Sequence, residues 1–126
     1  MKMYQSIIGY LNYIGVASRP DISHAVTHLS QFLKEPREHD YQQAMRVLTY
    51  LRDHMQRCSI YKKMKTQSFH LRTYVDSSYM NANDRRSIYG YVIFLNNNVL
   101  HWRSKINNLT ALSTTEAEFV ATAIRF

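Results

Sequence analysis

Hydrophobic positions recur at two different periods along this chain. From Tyr4 to Ala17, Ile7, Ile8, Leu11 and Ile14 fall at helical spacing. Ser18-Arg19-Pro20-Asp21 interrupts that run, and Pro20 suits the first turn of a new helix. Ile22, Ala25, Val26, Leu29 and Phe32 (or Leu33) form the next apolar stripe. Lys34-Glu35-Pro36 stops it, because a residue before proline avoids helical geometry. A third helix is predicted from about Glu38 to His54, burying Tyr41, Ala44, Val47, Leu48 and Leu51.

Beyond Gln56 the period falls to two. Ile60-Tyr61 reads as a short strand, followed by a polar link over residues 62–68. Phe69–Val75 alternates, with Leu71, Thr73 and Val75 on one face and His70, Arg72 and Tyr74 on the other. Asp76 is expected at the end of that strand, on its polar face, and Ser77–Asp84 reads as a loop. Ser87–Leu95 is a long β-rich run. Asn96-Asn97-Asn98 makes a turn tolerant of left-handed backbone, and Val99–Ser104 returns as a strand. The expected class is therefore mixed α/β (α+β): three helices, then three antiparallel strands leading into a last helix.

That last helix, around Ala111–Ala121, carries a candidate for chemistry. Ser113 stands three residues before Glu116, the spacing of a capping box. Leu112, Glu116, Phe119, Val120 and Ala123 share one face, whereas Glu118 lies roughly 200° round the helix. A carboxylate on an apolar face is costly unless it is bonded, paired or bound to a metal. Two readings stay open: Glu116 completes the cap, or it is one of several carboxylates around a divalent cation. Thr115 with Glu118 offers a competing cap. Asp76 likewise is either a turn residue or a hard oxygen ligand facing Glu116 across a sheet–helix seam, as Mg²⁺ requires.

Composition narrows the partner. The 126 residues are 45% hydrophobic and 20% charged, a globular balance, and the net charge of +7 favours a polyanion. No acid lies between Asp53 and Asp76, where Arg57, Lys62, Lys63, Lys65 and Arg72 interleave with Tyr61, Phe69 and Tyr74. Such a segment suits a phosphate backbone, or is a solvated lysine-rich surface. Arg85 and Arg86 offer a phosphate contact or a loop ion pair with Asp84. The six histidines form no zinc-like array, Cys58 is the only cysteine, and an intracellular, reducing compartment is the default. No stretch is apolar enough to span a bilayer. The helical period still running at Phe126 predicts a fragment of a longer domain.

Six blocks together carry a resemblance: Y-Q-S-I-I-G-Y-L-N-Y (4–13), S-R-P-D-I (18–22), R-V-L-T-Y-L-R (46–52), D-R-R-S (84–87) with G-Y-V-I-F-L (90–95), H-W-R-S-K (101–105) and A-L-S-T-T-E-A-E-F (111–119). In order and spacing the chain resembles copia-type retrotransposon Pol polyproteins, where the reverse transcriptase region runs into the ribonuclease H domain. The resemblance implies that residues 1–66 are a helical thumb or connection and that residues 67–126 are the first part of a ribonuclease H-like fold, truncated. It implies cleavage of RNA in RNA–DNA hybrids with two Mg²⁺ ions and no small-molecule cofactor. Asp76 matches the first-strand metal ligand and Glu116 the helix ligand. Partners would be the hybrid and the rest of the polyprotein, with no membrane. Ser78 and Tyr79 stand where the family has Asp and Trp, Ser87-Ile88-Tyr89-Gly90 replaces a serine–threonine–serine–glycine run, and Asn96-Asn97-Asn98 replaces a glycine-rich hairpin. Two carboxylates leave each cation short of ligands, so this chain is expected not to cleave hybrids alone. Its alternatives are a non-catalytic, basic nucleic-acid-binding remnant and a helical protein–protein module.

Overall fold

The computed structural model describes residues 2–63, 68–79 and 87–106. The chain divides into two compact units, Met1–Ser59 and Ile60–Phe126. The first holds helices α1 (Lys2–Ala17), α2 (Pro20–Leu29), a 3-10 turn (Ser30–Phe32) and α3 (Glu38–Asp53). The second holds strands β1 (Leu71–Tyr79), β2 (Ser87–Leu95) and β3 (Asn98–Ile106) in one antiparallel sheet of order β1-β2-β3. The mixed α+β class is as expected. No described helix is long and apolar enough to cross a membrane.

The helical core follows the predicted stripes. Tyr4, Ile8 and Leu11 of α1 meet Ile22, Val26 and Leu29 of α2 and Ala44 of α3, all buried. Tyr41, Val47, Leu48 and Leu51 are only partly buried against this cluster. The Tyr4 hydroxyl donates to the Leu29 carbonyl at 2.8 Å, so the ring is buried without stranding its polar end. Burial, and then the nearby Asp40 charge, raise the Tyr4 pKa. Asp40 is itself buried, and its carboxylate accepts the Arg37 N–H at 2.9 Å, capping α3. At Gly15 an added Cβ would stand 3.4 Å from Ser23 Oγ, so α1 and α2 approach closely there.

The loop motif around Arg19 has an unexpected role. Arg19 is only 8% exposed. Its Nε and Nη2 donate to the two Asp21 oxygens at 3.0 and 2.8 Å, and its Nη1 donates to the His54 carbonyl at 3.2 Å. The Tyr50 hydroxyl also donates to Asp21, at 2.8 Å. One bidentate pair thus ties the α1–α2 turn to the end of α3. These bonds hold the Asp21 pKa down at about 2, the Arg19 pair first among them, while partial burial opposes.

Several boundaries differ from the expected ones. Ile60-Tyr61 forms no strand. The first strand begins at Leu71, not Phe69, and continues through Tyr79, so Asp76 lies inside it rather than at its end. Ser77, Ser78 and Tyr79 pair with Tyr89, Ile88 and Ser87, and this ladder outweighs the loop preference of serine. The ladder stops at Leu71 because its partner Leu95 is the last residue before the turn. The third helix ends at Asp53, one residue short of the expected His54, and the returning strand starts at Asn98.

Asp21 gives the helical unit an acid sensitivity. Its pKa is depressed, so its stabilisation is complete above the usual 3.8 and is lost as pH falls toward about 2. Because the side chain is 33% exposed, solvent screening limits the contribution to about 1 kcal/mol. Helical unfolding followed by circular dichroism should show this loss between those pH values, and Asp21→Asn should remove it. Arg19→Ala should cost about 2–3 kcal/mol at neutral pH, because it strands a partly desolvated carboxylate.

Candidate functional site

The β2–β3 turn organises the second unit. Asn96 and Asn97 carry φ of 47° and 70°, the left-handed region that asparagine tolerates better than most residues. Each asparagine amide also holds a neighbouring segment. Asn96 Oδ1 accepts the His70 N–H at 2.6 Å, and its Nδ2 donates to the Ser68 carbonyl at 3.0 Å. The Arg72 guanidinium donates to Asn97 Oδ1. Asn98 Oδ1 accepts the Lys62 N–H at 2.8 Å, and its Nδ2 donates to the Lys62 carbonyl at 2.9 Å. The basic stretch and the hairpin turn are thereby brought together: Lys62 and Arg72 flank one turn, both exposed, with Lys63 exposed beside Lys62.

Register then fixes the position of Asp76. It pairs with Gly90, which in turn pairs with Ser104. Side chains in such a row share a face, and so do Arg72, Tyr74 and Asp76 along β1. Tyr74 meets Phe94 edge-on at 5.7 Å on this face, to which Val92, Ile88 and Trp102 also belong. The face is polar along β1 and at Ser104; the rest of it is largely apolar. Asp76 is exposed and, among the described residues, has no salt-bridge partner. Among the described residues a Cβ built on Gly90 would meet only the Arg103 carbonyl, at 3.5 Å, so their packing does not demand glycine there.

The opposite face carries a feature that the block-by-block reading missed. His101, Arg103 and Lys105 alternate along β3, all exposed. They share their face with Tyr91, whose ring stands 5.7 Å from that of His101. The signal lay in the alternation of H-W-R-S-K itself. Arg57 belongs to the helical unit, where its guanidinium sits 5.9 Å over the Tyr50 ring and donates to the Tyr50 hydroxyl at 3.2 Å. Glu116, Lys65, Arg85 and Arg86 lie outside the described residues, and so does the Asp76–Glu116 separation. Among the described residues no group of three His, Cys, Asp or Glu side chains is placed to hold a metal ion.

Known proteins resolve the ancestry. The chain is 34% identical over 119 residues to the retrovirus-related Pol polyprotein from transposon TNT 1-94 of Nicotiana tabacum, covering 94% of this chain and 9% of that protein. It is 36% identical over 121 residues to the Pol polyprotein from transposon RE1 of Arabidopsis thaliana, covering 95% of this chain and 8% of that one. A secreted RxLR effector protein, number 161, of Plasmopara viticola is 36% identical over 119 residues and is matched over 82% of its own length. The chain belongs to the copia-type retrotransposon Pol family. It spans less than a tenth of the length of these two Pol polyproteins. No family model matches it, and no solved structure does. Within this Pol family segment, the described geometry offers one open carboxylate on one face of a sheet and a cationic row on the other.

Two substitutions test how this sheet is held. Asn97→Val should cost about 1–2 kcal/mol, because a β-branched residue resists the left-handed backbone, whereas Asn97→Gly should keep the turn. Gly90→Ala should fold normally and gain up to about 0.5 kcal/mol from reduced unfolded-state entropy. Urea denaturation of the three variants checks both statements.

Proposed function

We propose that this chain is the part of a retroelement polymerase in which the helical end of the reverse transcriptase joins the first strands of a ribonuclease H-like domain, and that it binds nucleic acid without cleaving it on its own. The observation that carries this reading is Asp76: an exposed carboxylate inside β1, paired with Gly90 and without an ion pair among the described residues. An acid with that setting suits one oxygen ligand of a hard cation. In the complete domain Asp76 with Glu116 would hold Mg²⁺, which would supply Lewis-acid help to phosphodiester hydrolysis. Asp76 fits that role as a single ligand. The set required for two cations is not assembled by the described residues.

A second reading, the basic non-catalytic remnant, draws on the cationic row His101, Arg103 and Lys105 and on Lys62, Lys63 and Arg72. In that reading the phosphate backbone contacts these side chains, and Asp76 has no part in binding.

Fluorescence anisotropy on a labelled RNA–DNA hybrid, with and without Mg²⁺, separates the two. Both readings require affinity that falls steeply with salt. Arg103→Ala with Lys105→Ala should reduce the log–log salt slope by about 2, if both contact phosphates. Asp76→Asn should leave Mg²⁺-free affinity within about twofold. A Mg²⁺-dependent gain in affinity that Asp76→Asn abolishes supports the ligand role, and its absence favours the remnant. Hybrid cleavage by the isolated chain, lost in Asp76→Asn, would refute the proposed lack of activity.

A further inference from the structure

The helical unit contains a cavity of about 640 Å³ between α2, the 3-10 turn and the start of α3. Its floor is apolar, formed by buried Leu29 and half-buried Phe32 and Val47. Its rim is the reverse. His24 and His28 stand one turn apart on α2, and Arg37 and His39 stand at the head of α3. Asp40 is the sole acidic residue of the lining, and its carboxylate is already engaged by the Arg37 N–H at 2.9 Å.

His28 forms part of the cavity wall. His28 Nδ1 is buried and meets no hydrogen-bond partner. The His28 ring stands 5.6 Å from the Phe32 ring, tilted by 44°, giving a wall of two π-systems. Burial lowers the His28 pKa, nearby His24 lowers it further, and Asp40 opposes; the ring is therefore neutral at pH 7 and offers one N–H and one lone pair.

These features select against a bare metal ion, since no three ligands converge among the described residues. They select for an organic ligand, because cavities with an apolar floor and a few convergent polar groups take one. The aromatic wall favours a planar ring with a hydrogen-bonding edge. The exposed Arg37 guanidinium, with imidazole N–H groups as further donors, favours an anion, and a guanidinium matches phosphate in particular. We propose that this cavity binds a nucleotide-like anion, its base against the Phe32–His28 wall and its phosphate at Arg37. The same chemistry is offered by a free nucleoside monophosphate and by the 5′-phosphorylated end of a strand. The proposal does not depend on Asp76 or on the sheet.

The test is a titration of the full chain with adenosine 5′-monophosphate, adenosine, inorganic phosphate and a dinucleotide with or without a 5′-phosphate, followed by the NMR signals of the histidine rings. The monophosphate should shift His24, His28 and His39 and bind about tenfold more tightly than adenosine or phosphate alone. Arg37→Ala, which removes an exposed side chain and keeps the backbone cap, should bring the monophosphate down to the affinity of adenosine. His28→Ala, which removes half of the aromatic wall, should abolish the preference for the monophosphate over inorganic phosphate. If His28→Ala fails to fold, the wild-type ring shifts and Arg37→Ala decide the matter. Stronger binding of the phosphorylated dinucleotide assigns the cavity to a strand end, and stronger binding of the monophosphate assigns it to a free nucleotide. Absence of ring shifts at millimolar monophosphate, or equal affinity in Arg37→Ala, overturns the proposal.

Discussion

Pairing register governs everything functional in the second unit. Side chains alternate along a strand, so a slip of one residue between β1 and β2 would move Asp76 to the face of Arg103 and Lys105. Two left-handed asparagines define the β2–β3 hairpin, and Asn96 extends the same constraint to the first strand by bonding His70 through both backbone and side chain. In this hairpin the chain uses residues that both accept the backbone geometry and carry an amide. The turn therefore works as a clamp: a glycine turn could set the hairpin, but it could not grip Ser68, Lys62 and Arg72.

The helical unit solves a different problem in a different way. Its three helices bury a modest apolar cluster, and a buried guanidinium locks the open end. Arg19 meets Asp21 along a fork, a carbonyl of the α3 end, and the face of Tyr50 at 5.7 Å, so its charge is satisfied from several sides. The second guanidinium on Tyr50, from Arg57, leaves that residue less free to follow a phosphate than its exposure suggests.

Helix positions were legible because period and punctuation agree: Pro20 begins one helix, and Lys34-Glu35-Pro36 closes the segment before the next. The β2 strand was legible to its ends, Ser87 and Leu95, because a long β-branched and aromatic run stops at asparagine. Asp76 was misplaced within its strand because Ser77 and Ser78 have little strand preference of their own; only the partner strand holds them extended. The burial of Arg19 is not legible, since nothing local says that an arginine before proline will be covered by the end of a helix over thirty residues later. The clustering of His24, His28 and Arg37 was equally hidden, because it arises from the packing of α2 on α3 rather than from spacing along either.

The close approach of α1 and α2 has a consequence for the order of assembly. The contacts that join them are short-range in sequence: Ser23 donates to the Gly15 carbonyl across eight residues, and Tyr4 reaches Leu29 across twenty-five. Closing loops of that length takes little entropy and little time. The β1–β2 ladder closes over comparable separations, from Tyr79–Ser87 to Leu71–Leu95, so loop length alone does not order the two units. Order of synthesis does: the helical pair precedes the strands along the chain, so it can settle before the sheet is complete.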